Sequence, residues 1–305
     1  MASQPAARPV SLRILIPFAI TTLIWSSTWI VIRDQLGVVP PLWSVTYRFI
    51  AASVGMVALV AIRGDGFRIG RSGHLIAAGF GLFQVVLNFN LVYRAEAYVT
   101  SGLVAVTFAL LIVPNALLAR IFLGQRIPGR FLAGSAVAIV GVALLFAHEI
   151  GAASAGAGGG AVAIGLGLTA LGVLCASVSN VMQGSAPARA VPTTSLLAWG
   201  MLWGTAMNAC LALASAGPPV GDPRGLYWAG VLYLGLIASA LAFTLYFGLI
   251  QAIGPARAAY VNVLTPVLAM AISTAFEGYR WSLTSASGAI LAIGGLVIAL
   301  RARGR

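Results

Sequence analysis

Charge is scarce in this chain. Only 8% of residues are Asp, Glu, Lys or Arg while 60% are apolar, against about 25% charged in a typical soluble domain. That balance excludes a water-soluble globular protein. Lysine is absent, so all 18 basic residues are arginine, set against six acids. The two cysteines, Cys175 and Cys210, lie inside apolar runs and offer neither a disulfide framework nor metal-ligand spacing. The two histidines, His74 and His148, are predicted at opposite membrane faces, and no acid accompanies a serine or cysteine in mid-run. The nucleophile–base pair or paired acids of an enzyme are therefore missing. Glycine-rich strings such as GLGLTALG fall inside hydrophobic runs, which excludes a phosphate-cradling loop. The expectation is no enzyme, no metal and no cofactor.

What the chain does have is length without charge. Nearly charge-free stretches run over 14–32, 42–62, 75–93, 97–119, 131–147, 161–183, 194–214, 226–250, 258–276 and 281–300. Each is about long enough to cross a bilayer core, which needs roughly 17–25 helical residues. The first follows a short basic segment but ends in WSSTWIVIRD, without a small-residue cleavage pattern, and so reads as a retained helix rather than a signal peptide.

The net charge of +12 would suggest nucleic acid in a soluble protein, but the arginines are scattered over six segments rather than clustered. With the amino terminus inside, thirteen fall in inner loops and tails: Arg8, Arg13, Arg63, Arg68, Arg71, Arg120, Arg126, Arg130, Arg189, Arg257, Arg301, Arg303 and Arg305. The outer loops hold Arg33, Arg94, Arg224 and Arg280 beside five of the six acids, Asp34, Glu96, Glu149, Asp222 and Glu277. The positive-inside rule then places both termini in the cytoplasm and supports an even number of spans. No nucleic-acid partner is needed; the partners expected are the lipid bilayer and a small-molecule substrate. Oligomeric state is not specified, and a monomer is compatible with the sequence.

One seam divides the chain: GAASAGAGGG at 151–160 has the composition of a flexible linker, with five runs on each side. The sides repeat. Pro114 and Gln125 recur 152 residues on as Pro266 and Glu277, and Gly134, Ala138 and Gly141 recur 154 on as Gly288, Ala292 and Gly295. Positions i, i+4 and i+7 share a helix face, so the fifth and tenth runs carry the same small-residue stripe, suited to close packing. Because each half holds an odd number of spans, the second enters the membrane from the opposite side, as in the inverted repeats of transporters. The expected fold is all-α and integral to the membrane, ten transmembrane helices in a five-plus-five inverted repeat. Residues 1–150 form the first repeat, 151–160 the linker and 161–305 the second. Pro114 and Pro266 each remove a backbone hydrogen bond and are expected as hinges.

The ten-run duplication, the WSSTW segment at 25–29, YRF at 47–49 and the duplicated proline helix ending in Gln125 or Glu277 together resemble the drug/metabolite transporter superfamily, EamA type. The resemblance covers nearly the whole chain. It implies a multi-pass inner-membrane exporter of small metabolites with a central cavity between the repeats, and within the family the aromatic core is most similar to the amino-acid exporters. Gln125 stands where an acid is common in the family pattern, which removes the basis for a catalytic role of that acid.

Arg48 is the only always-charged residue well inside a run. Burying it costs about 2.5–3.5 kcal/mol or more on insertion scales, so it is a candidate for attracting a substrate carboxylate or, alternatively, for a fixed pair with Asp34 or with helix-end carbonyls near the outer surface. One arginine does not suffice for nucleotide-sugars or sugar phosphates, whose phosphates need several cations. The absence of a mid-run carboxylate leaves no candidate for proton coupling, and facilitated export is expected. Uncharged polar and aromatic groups complete the candidate substrate-binding set: Trp25 and Thr28, Gln84 and Asn88, Thr107, Trp203 (with Trp199 on its face), Ser239, Phe243 and Tyr246, and Asn262 beside Thr265. Rings and neutral hydrogen-bonding groups suit a zwitterion with an apolar side chain, so the expected activity is export of amino acids, aromatic and other neutral ones, by alternating access. The alternative is a multidrug or other small-metabolite exporter.

Overall fold

The computed structural model of the protein describes residues 12–99, 101–145, 159–276 and 281–300. Most of the expected linker, together with His148, Glu149, Glu277 and Arg280, lies outside the described residues. The first half contains α1 (Leu12–Asp34), α2 (Pro41–Arg63), α3 (Gly70–Ala95), α4 (Ser101–Ala109), α5 (Ile112–Leu123) and α6 (Gly129–Leu145). The second contains α7 (Gly159–Gln183), α8 (Thr193–Ala216), α9 (Gly225–Ile253), α10 (Tyr260–Phe276) and α11 (Leu283–Leu300), with single turns at Ala186–Arg189 and Pro255–Ala258. Six of these helices, α1, α2, α3, α7, α8 and α9, are long and apolar enough to cross a membrane. Large apolar side chains such as Leu75, Ile121, Phe122, Leu171 and Ile290 stand on the outer surface, an arrangement that lipid tolerates and water does not.

The fourth apolar run is where the proline acts most visibly. Its helix breaks between α4 and α5 at Leu110 and Leu111, whose amides bond three residues back to Thr107 and Phe108 at 3.1 and 3.0 Å. Pro114 follows in the first turn of α5, where its missing N–H leaves no helical carbonyl unpaired. Pro266 instead lies inside an unbroken α10, and the break in that region falls earlier, at Ala259. The matched prolines therefore do different local work.

Two segments depart from α geometry. Gly81–Phe89 within α3 and Tyr233–Leu241 within α9 are π-helical, wound with i→i+5 bonds and thus wider than an α-helix. They stand at the same displacement as the prolines, 152 residues (81 to 233, 89 to 241). Glycine at the wide turns permits close crossing: a Cβ on Gly81 would lie 2.6 Å from the Gly204 amide nitrogen of α8, and one on Gly235 would lie 2.6 Å from the Arg48 carbonyl oxygen of α2. Each half thus presses its π segment against the second helix of the other.

The small-residue stripes meet each other. Gly134 of α6 faces Gly295 and Ala299 of α11, whereas Gly141 faces Gly288 and Ala292; a Cβ on Gly134 or on Gly141 would lie 2.7 Å from the Gly295 or the Gly288 carbonyl oxygen. As one helix advances the other retreats, so the pair is antiparallel, and exchanging each residue for its repeat mate reproduces the same contact. A second such contact joins α2 and α8, where the hydroxyls of Ser53 and Thr205, also 152 residues apart, lie 3.2 Å from one another.

Candidate functional site

The α2–α9 crossing delivers Arg48 to the interior. Its residue is 2% exposed, and its Nε donates to Ser239 Oγ at 2.9 Å. Ser239 in turn donates to the Leu234 carbonyl, five residues back in the π segment, at 2.8 Å. The guanidinium lies over the Phe89 ring, Cζ 4.3 Å from its centroid, and beside the hydroxyl of Tyr93, which itself donates to Gln35 Oε1 at 3.1 Å. A desolvated cation–π contact of this kind contributes about 2 kcal/mol, the same order as the insertion cost of the charge. No described carboxylate pairs with Arg48; Asp34 is held instead by Arg224 at 3.2 Å, so the fixed Arg48–Asp34 pair weighed from the sequence does not form. One guanidinium nitrogen, Nη1, is buried without a partner.

Arg48 borders a cavity lined from both halves, with about 80 Å³ of accessible space, narrower than the usual small-molecule site. Trp25, Thr28, Gln84, Asn88, Phe243, Tyr246 and Asn262 line it as well. Trp25 is the aromatic centre: its ring meets Phe243 at 5.5 Å and Tyr246 at 4.9 Å, and its Nε1 donates to the Ala238 carbonyl at 3.1 Å. Gln84 Nε2 donates to Asn88 Oδ1 at 3.1 Å, and Asn88 Nδ2 to the Gly172 carbonyl of α7 at 2.8 Å, leaving Gln84 Oε1 buried and unpartnered. Across the cavity Asn180 Nδ2 donates to the Tyr246 hydroxyl at 3.3 Å. The wall thus carries one cation with a free donor and one amide oxygen with a free acceptor.

Three expected site residues lie elsewhere. Trp203 is 43% exposed and stands at the outer surface with Trp199, both rings packing on His74; the face of α8 that carries them points away from the cavity. Thr107 is buried but its neighbour Phe108 supplies the wall. Ser239 touches the site only through Arg48. Pro114 and Pro266 do not line the cavity, although Leu111 and Thr265 beside them do. Asn180, Trp29 and Phe89 line it without having been singled out; a lone asparagine in the run 161–183 was the available signal for the first.

Comparison with known proteins agrees with this architecture. PagO of Salmonella typhimurium (strain LT2) is 24% identical over 301 residues, covering 97% of this chain and 95% of that protein. The uncharacterized inner membrane transporter YedA of Escherichia coli (strain K12) is 28% identical over 260 residues, 84% of this chain and 80% of its own. A solved crystal structure shares the fold with a TM-score of 0.73 at 22% identity, covering 94% of this chain and 96% of that one. Residues 12–147 and 163–301 each match the EamA-like transporter family. With two such units occupying nearly its whole length, the chain belongs to the EamA-like transporter family and is a membrane transporter rather than an enzyme.

Proposed function

We propose that the protein exports neutral amino acids, aromatic ones included, across the bacterial inner membrane by alternating access at the central cavity. The observation that carries this reading is Arg48: a buried guanidinium with no carboxylate partner among the described residues and a free Nη1 at the cavity wall. A substrate carboxylate supplies the missing acceptor, and the unpartnered Gln84 Oε1 accepts from the substrate ammonium. The Trp25, Phe243 and Tyr246 rings take the apolar side chain. A flat organic cation would meet the same rings but would also meet the Arg48 charge, which disfavours the multidrug alternative.

The repeats are read as inverted, residues 1–150 and 161–305, joined by the linker 151–160 and with both termini cytoplasmic. Antiparallel α6 and α11 support the inversion, the arginine distribution supports the orientation, and the similarity to YedA, an inner membrane transporter, supports the inner membrane. Transport is facilitated, since no described acid lines the cavity to carry a coupling proton. The test is flux in proteoliposomes with radiolabelled amino acids and organic cations, before and after collapse of the proton gradient. Saturable amino-acid flux that survives the uncoupler is expected; cation flux in its place, or abolition by the uncoupler, would overturn the substrate or the coupling assignment respectively.

A further inference from the structure

A second cavity, of about 570 Å³ and open at its mouth, lies at the end of the molecule that the arginine distribution assigns to the cytoplasm. Arg126, Arg189 and Arg257 line it together with Gln125 and Gln251, and among the described residues no acid does. Three arginines from three separate connections converge here: one after α5, one after α7 and one between α9 and α10.

The partition between the two cavities is thin and polar. On the central side it presents Tyr246, Asn180 and Asn262. Its middle is Asn115, fully buried, which lies against the Tyr246 hydroxyl and donates through Nδ2 to the Pro255 carbonyl at 3.0 Å. The chain neighbours of these two, Ala116 on one side and Gly254 and Ala256 on the other, already line the second cavity. Asn115 Oδ1 is buried without a partner. Gly254 has φ +85°, a conformation that L side chains rarely adopt, and it lies at the joint where α9 gives way to the short Pro255–Ala258 turn. A layer held by neutral hydrogen bonds exchanges them for bonds to water or substrate when it parts, so it seals without locking.

We infer that the arginine-lined cavity is a vestibule that concentrates carboxylate-bearing solutes from the cytoplasm, and that the Asn115–Tyr246–Pro255 layer is the gate between it and the central site. The identity of the solute and the assignment of this side to the cytoplasm rest on the function and orientation proposed above. Focusing by charges of one sign in a walled cleft raises local counter-ion concentration and encounter rates, and Arg48 is then a further cation beyond these three on one path.

The test is substrate-free. In a background with Cys175→Ser and Cys210→Ser, single cysteines are placed in the vestibule (Ala256→Cys) and in the central cavity (Ala176→Cys). They are labelled from the cytoplasmic face of inside-out vesicles with anionic and cationic methanethiosulfonates of equal size. Ala256→Cys should react roughly tenfold or more faster with the anionic reagent, and Arg126→Gln/Arg189→Gln/Arg257→Gln should erase that preference. Ala176→Cys should be protected, and Asn115→Ala should expose it; Tyr246→Phe, which keeps the ring, should do so in part. Equal rates at Ala256→Cys would overturn the vestibule, and a Ala176→Cys rate unchanged in both gate variants would overturn the gate. If amino-acid flux is absent while the labelling behaves as stated, the substrate assignment fails and this inference stands.

Discussion

The π segments at 81–89 and 233–241 hold equivalent places in the two halves, yet they carry different chemistry. Displacing by 152 residues, Gln84 corresponds to Leu236, Asn88 to Ala240, and Leu87 to Ser239. The first segment places amides on the cavity wall; the second places the Ser239 hydroxyl behind Arg48 and the Tyr233 hydroxyl against Ser27, and puts no side chain on that wall. The helix crossings that flank the segments, by contrast, are the same on both sides. Symmetry therefore resides in the scaffold, where each half must pack on the other, and asymmetry resides in the site, where Arg48 leaves a donor free and Gln84 an acceptor.

Repeat-equivalent substitutions should accordingly match in the scaffold and differ in the site. The largest effect is expected at the α6–α11 seam. Gly141→Val and its mate Gly295→Val each drive side-chain atoms into the facing backbone, and both should abolish recovery of folded protein, read by monodisperse elution in detergent. If one is tolerated and its mate is not, the seam is not the symmetric contact described. Next comes Arg48→Met, which removes the cation but keeps the volume. A hydrogen bond to a charged group contributes about 1.5–3 kcal/mol, so amino-acid flux should fall more than about tenfold. Melting temperature should hold, because an apolar replacement of a buried charge is often neutral. A large drop in stability with flux intact would make Arg48 structural.

A smaller effect separates the π segments themselves. Gln84→Leu with Asn88→Ala gives the first segment the side chains of the second at these two positions. Flux should drop several-fold while stability falls only by about 0.6 kcal/mol, the average for a lost interhelical hydrogen bond in a membrane, here Asn88 to Gly172. Normal transport in this double variant would move the site. The smallest effect lies at the outer end, where Arg224 bridges Asp34 and Asp222 and its hydrogen bonds hold the Asp222 carboxyl below the usual aspartate range. A depressed folded pKa stabilises above the unfolded value, about 3.9, and that contribution is lost as pH falls through the folded one. Asp222→Asn should therefore lower the melting temperature slightly at pH 7 and make no difference in strong acid.

Much of the scaffold was legible in the residues. The glycine stripes at 134–141 and 288–295 mark a close contact because only small side chains let helices approach in lipid, and in the structure they meet each other. Trp25, Gln84, Asn88 and Tyr246 were visible as polar or amphipathic groups in apolar runs, and all four line one cavity. Trp203 read the same way and faces outward, since hydropathy reports that a helix is apolar without saying which neighbour each face meets. The π segments left no signal in the pattern of GLFQVVLNF or YLGLIASAL. Nor did the proline motif forecast that one helix would break and its mate would not.

The sequence by itself determined the solvent, the duplication and the seam, because hydropathy, charge placement and residue size are local properties that a bilayer reads directly. Only the tertiary structure decided that Arg48 is buried with no acid beside it among the described residues, that Gln84 and Tyr246 reach the same cavity, and that Asn115 bonds the Pro255 carbonyl. Those facts depend on the rotation of each helix about its own axis. One residue of π-helical slack turns the following side chains by roughly a quarter of a turn or more, and it is the crossing partners, not the helix itself, that hold such a turn in place.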